Sequence, residues 1–92
     1  MDWKWRSETI VSETVGSFQK VAFVPHALDR MKLRSITQQD VLTALRNPTI
    51  RGLPADVPHL RIAWKKTARK TLNVVYDEVG RDMLRVITVY WN

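Results

Sequence analysis

Two prolines, Pro25 and Pro48, bracket the part of this chain whose apolar residues recur at helical spacing, and the sequence on either side of that block reads as strand. Proline is favoured at the first helical position, and Ala27, Leu28 and Met31 then line one face, which predicts a short helix over Pro25 to Leu33. In Thr37-Gln38-Gln39-Asp40 a hydroxyl can cap a second helix and an acid favours its first turn. Val41, Leu42, Ala44 and Leu45 form its apolar stripe, and Asn47-Pro48 ends it. The link Arg34-Ser35-Ile36 is too short for anything but a tight corner, so the helices must pack as a pair.

Alternating or β-branched runs over Glu8 to Val15 and Gln19 to Val24 predict a leading hairpin about Gly16-Ser17. Leu60 to Thr67, Thr71 to Asp77 and Met83 to Trp91 predict a meander, broken at Ala68-Arg69-Lys70 and from Glu78 to Asp82. Thr49 to His59, with Pro54 and Pro58, reads as a loop. The order β-β-α-α-β-β-β predicts an α+β fold, two helices on one face of an antiparallel sheet of about four or five strands. At 92 residues there is room for one domain, 1–92.

The chain is 45% apolar and 26% charged, a globular balance rather than that of a disordered segment. Having no cysteine, it holds no disulfide, thiolate nucleophile or cysteine-based metal site. The stretch Met1 to Arg6 lacks the apolar core of a signal peptide, and no run approaches the ~18 apolar residues of a membrane span, so a soluble cytoplasmic protein is expected. A net charge of +6 favours polyanionic partners. From Leu60 to Thr71 stand Arg61, Lys65, Lys66, Arg69 and Lys70 with no acid among them. Such a run can bind phosphates, or it can be a solvated strand edge guarded against aggregation.

Residues four apart on a helix are neighbours, so His26 and Arg30 lie side by side and Arg34 continues along their border, next to the buried stripe. The first-turn position, near the helix dipole's positive end, disfavours an imidazolium, and a general base must be neutral. The competing reading makes His26 a helix-start residue bonded to backbone and pairs Arg30 with an acid. In the last strand, if the core takes Ile87 and Val89, then Thr88 and Tyr90 share an open face with Lys65 and Asn73. The other register buries Thr88 and Tyr90 and exposes Arg85 and Trp91. Metal-independent RNA cleavage needs a base, an acid and cations for the phosphate, roles open to His26, Tyr90, Arg30 and Lys65. His59 is 33 residues from His26 with no helical ligand pair, and no Gly-rich phosphate loop occurs, so neither a metal nor a cofactor is expected. His59 itself reads as a loop histidine.

The runs Val24-Pro25-His26-Ala27-Leu28-Asp29-Arg30-Met31, Arg34-Ser35-Ile36-Thr37, Asp40-Val41 and Arg46-Asn47-Pro48, with Val86-Ile87-Thr88-Val89-Tyr90 at the far end, resemble a small prokaryotic family labelled a domain of unknown function. The resemblance spans about Gln19 to Trp91. That family is in turn similar to the RelE/BrnT-like ribonuclease toxins, with barnase-like and colicin-type relatives, in which two helices precede an antiparallel sheet. The resemblance implies an RNA-cleaving toxin, acting on free or ribosome-bound RNA and neutralised by a protein antitoxin. It places the site on His26, Arg30, Thr88 and Tyr90. The charge pattern, rather than the resemblance, adds Arg34, Arg61, Lys65, Lys66, Arg69 and Lys70 as the nucleic-acid-binding set. Ser35 replaces the family's usual glycine, which is expected to loosen the corner. Residues 1–17, with Trp3 and Trp5, fall outside the pattern, as an extra strand, a partner contact or a base-stacking arm. Two other classes stay open: a non-catalytic basic module for nucleic acid or an acidic partner, and an interaction domain whose basic strand pairs by edge addition with an acidic segment.

Overall fold

Local chemistry at the helix ends accounts for the helical layer. In the computed structural model, which describes residues 8–52 and 59–92, α1 spans Pro25–Leu33 and α2 spans Gln38–Arg46. Pro25 sits in the first turn of α1, where the N–H it lacks would have no intrahelical partner. Thr37 and Asp40 close a reciprocal capping box: the Asp40 N–H donates to the Thr37 hydroxyl at 3.0 Å, and the Thr37 N–H to the Asp40 carboxylate at 2.9 Å. Such a cap contributes about 1 kcal/mol.

The corner between the helices is a Schellman motif. The Ile36 N–H donates to the Met31 carbonyl at 2.8 Å and the Ser35 N–H to the Lys32 carbonyl at 3.4 Å. Ser35 stands at φ +56°, in the left-handed region that favours glycine. The expected loosening is therefore not what happens: the corner keeps its glycine-type geometry, and the serine carries strain of about 1 kcal/mol.

The strands are β1 (Thr9–Val11), β2 (Lys20–Phe23), β3 (Ile50–Gly52), β4 (Arg61–Lys66), β5 (Thr71–Val79) and β6 (Met83–Trp91). Among the described residues they form one six-stranded sheet in the order β1-β2-β6-β5-β4-β3. The meander β4-β5-β6 is as expected, but the sheet is mixed, because β2 lies parallel to β6. Parallel neighbours need a long crossover, and the chain between Phe23 and Met83 supplies it. Two further expectations change. The first strand shrinks to three residues, with Val15 and Phe18 closing the turn by mutual backbone bonds of 2.9 Å. The start of the expected loop is instead β3, an edge strand in which a Cβ on Gly52 would lie 2.7 Å from the Trp64 ring. β3 pairs with Ile62 to Trp64 of β4, so that stretch is not an open edge for strand addition.

The core lies between the helices and one sheet face. Ala27, Met31, Ile36, Val41, Leu42, Ala44 and Leu45 meet Val21, Phe23, Ala63, Leu72, Val74, Tyr76, Leu84, Val86 and Val89. Each large side chain sealed there contributes about 1.5–3 kcal/mol. The opposite face is not the open surface expected, since Ile62, Asn73 and Val75 are buried on it. The last strand follows neither simple register. Val75 pairs with Thr88 and Tyr76 with Val86, so Ile87 is skipped in a bulge. Val86 and Val89, three residues apart, consequently both reach the core. Among the described residues, no helix is long and apolar enough to cross a membrane.

Candidate functional site

The site begins where β2 stops. The Val24 N–H makes a last bond to the Val86 carbonyl at 3.3 Å, and Pro25, having no N–H, turns the chain into α1. From Ile87 onward β6 has no strand on that side among the described residues, and α1 packs there instead. The second residue of the helix, His26, is solvent-exposed and its Nε2 lies 3.1 Å from the Thr88 hydroxyl. Two turns later the Arg34 guanidinium donates to the Val89 carbonyl at 3.0 Å, while the Trp91 indole N–H donates to the Arg34 carbonyl at 3.1 Å. Helix and strand are thus tied at both ends of a shallow notch.

Arg30 lies between these ties, half-buried, and among the described residues its side chain makes no ion pair or hydrogen bond. That disposes of the acid partner weighed for it from sequence. A guanidinium held beside an imidazole without a carboxylate to neutralise it is suited to an incoming anion. Tyr90 is half-buried two residues beyond Thr88, cross-strand from Asn73. Asn73 is fully buried, donates to the Thr71 carbonyl at 3.2 Å and leaves its Oδ1 without a partner.

The expected basic set divides. Lys66, Arg69 and Lys70 are exposed around the β4–β5 turn. Lys70 Nζ stands 4.6 Å from the centre of the Trp91 ring, so the turn joins the notch through the same tryptophan that anchors Arg34. Lys65 does not share a face with Thr88 and Tyr90. It lies in register with core-facing Leu72, and its ammonium donates at 2.9 Å to the Asn47 carbonyl at the end of α2. Lys65 is therefore a helix-end cap, favoured there by the dipole. Arg61, at the other end of β4, pairs with Glu78 at 3.4 Å. Arg34 spends part of its guanidinium on Val89, so it positions α1 as well as adding charge. His59 is exposed in a turn, and Trp3 and Trp5 lie outside the described residues.

Trp91 was missed as a site residue. Its alternation with Val89 marks a core position, and nothing in the sequence signals the hydrogen bond its indole donates to the Arg34 carbonyl or the cation–π contact of its ring with Lys70. No curated protein and no solved structure matches the chain. A family model does match, from Phe23 to Trp91, taking in both helices, β6 and the His26–Thr88 pair, and the chain accordingly belongs to the domain of unknown function family DUF4258.

Proposed function

We propose that this chain is a metal-independent endoribonuclease of the RelE/BrnT-like toxin kind, acting in the cytoplasm and held in check by a protein antitoxin. The observation that carries the reading is the His26–Thr88 contact of 3.1 Å with the unpaired Arg30 guanidinium beside it. Thr88 orients the imidazole so that the other ring nitrogen can serve as base. His26 removes the proton of the RNA 2′-hydroxyl, and the 2′-oxygen attacks phosphorus. Arg30 neutralises the charge growing on the phosphate, and the Tyr90 hydroxyl supplies the proton to the departing 5′-oxygen. Lys66, Arg69 and Lys70 hold flanking phosphates, and the Arg34 N–H groups not bound to Val89 add to that field. The notch side chains described, His26, Arg30, Arg34, Thr88, Tyr90 and Trp91, include no carboxylate, so the nucleophile in this reading is the RNA's own 2′-oxygen.

The test is the product. Purified protein should cut RNA in EDTA, leaving a 2′,3′-cyclic phosphate upstream and a 5′-hydroxyl downstream, and a 2′-deoxy substitution at the scissile position should stop cutting without stopping binding. Cleavage that depends on added magnesium, or 3′-hydroxyl ends, would sink the mechanism. Tight RNA binding with no cleavage, ribosomes included, would favour a non-catalytic module using the same basic surface.

A further inference from the structure

A second cavity, of about 320 Å³, opens at the opposite end of β6. It touches Leu84, four residues before Thr88 and so about 13 Å away along the strand. Among the described residues, three guanidinium groups line it, from Arg46, Arg51 and Arg61, against one carboxylate, Glu78. Arg46 is already satisfied by Glu13 at 2.9 Å and the Thr14 carbonyl at 2.8 Å. Arg61 pairs with Glu78 at the solvent-exposed rim, with both side chains more than two-fifths exposed.

Arg51 differs from both. Its guanidinium is held by two neutral acceptors, the Leu45 carbonyl at 3.0 Å and the hydroxyl of Tyr76, which is itself only 2% exposed. Those contacts fix the orientation of Arg51 without neutralising its charge. A positively charged fork, oriented by buried groups and facing a cavity, is what a carboxylate-binding pocket requires. The other walls, Phe18, Leu45 and Leu84, are apolar and suit the methylene stem of an acidic side chain better than a hydrated phosphodiester. Glu78 already places a carboxylate on Arg61 at the rim, showing that this chemistry fits the entrance.

We propose that this cavity receives a glutamate or aspartate side chain from an apolar-flanked acidic segment of a partner protein, with Arg51 as the central fork and Glu78 as an internal competitor for Arg61. The proposal is independent of the ribonuclease reading, because it uses none of the notch residues.

The probe is an acetylated, amidated Leu-Glu-Leu peptide, followed through arginine Nε resonances and backbone amides by NMR, with Leu-Gln-Leu, inorganic phosphate and a short RNA as comparisons. The glutamate peptide should shift Arg51, Arg61 and Leu84 and leave His26 and Thr88 unmoved. Glu78→Gln should tighten its binding about two- to fivefold, by freeing an exposed ion-pair partner and removing a like charge. Arg61→Gln, which removes a guanidinium already shared with Glu78, should weaken it by a similar factor, and Arg51→Gln, which removes the fork held by the Tyr76 hydroxyl and the Leu45 carbonyl, by about tenfold. Equal shifts from the glutamine peptide, or unchanged binding in Glu78→Gln, would overturn the proposal. Shifts produced by phosphate or RNA in place of the peptide would also overturn it, and would make the cavity a phosphate site.

Discussion

The two halves of β6 are built from similar residues and yet do different work. Met83 to Val86 has a strand on each side, β2 parallel and β5 antiparallel, so its backbone groups are met by other backbone groups. Ile87 to Trp91 keeps β5 but has α1 where β2 would be. Backbone acceptors that lose a strand must find side chains. The Val89 carbonyl accordingly takes the Arg34 guanidinium, and the Thr88 hydroxyl meets His26. The bulge at Ile87 falls at the same boundary, which lets the strand serve the core in both halves while shifting its outward positions. A sheet that had paired along its whole length would have left no room at its edge for an imidazole and the unpaired Arg30 guanidinium.

The sharpest way to break this contrast is to ask whether the helix-flanked half carries activity and the strand-flanked half carries stability. His26→Ala should lower RNA cleavage by about 10²–10⁴-fold, the usual contribution of a general base. Its urea midpoint should stay close to that of wild type, because the lost hydrogen bond is exposed. A folded His26→Ala protein that still cuts at the wild-type rate would remove the imidazole from the chemistry.

Phe23→Ala probes the other half. Phe23 is fully buried and pairs with Val86 where β2 meets β6, and its truncation should cost about 3–5 kcal/mol in urea unfolding. For the fraction that remains folded, cleavage should be little changed. If instead activity fell far more than the folded population, the two halves would be coupled and the division drawn here would be wrong.

The smallest effect sharpens the comparison at the corner that positions Arg34. Ser35→Gly should relieve the left-handed strain and raise stability by about 0.5–1 kcal/mol, read as a higher urea midpoint at unchanged slope. A decrease would mean that the serine side chain contributes more than its backbone costs.

Much of this is legible in the sequence. The bounds of α1, the Thr37–Asp40 cap and β6 from Met83 to Trp91 rest on local rules: proline at a first turn, a hydroxyl three residues before an acid, and uninterrupted β-branched residues. His26, Arg30 and Arg34 stood together because helical spacing alone makes them neighbours. The contact of His26 with Thr88, 62 positions away, has no local signal, and only the resemblance set the two residues in one site. Lys65 is misplaced in the sequence reading because β4 pairs with β5 so that Trp64, not Lys65, stands opposite Asn73, a one-residue difference in register that alternation within a strand does not reveal. A three-residue β3 was lost because so short an edge strand has no period to detect.

What the sequence determined by itself, then, is the set of local elements and the order in which they occur, since caps, turns and periodicities act within a few residues. Which strands lie side by side was settled only in the tertiary structure. Parallel pairing of β2 with β6 joins residues about sixty apart, and it follows from burying the apolar faces of both helices on one sheet rather than from any short-range signal. That pairing stops at Pro25, and the notch, the bulge and the arginine-lined cavity beyond the other end of β6 all take their places from the sheet it completes.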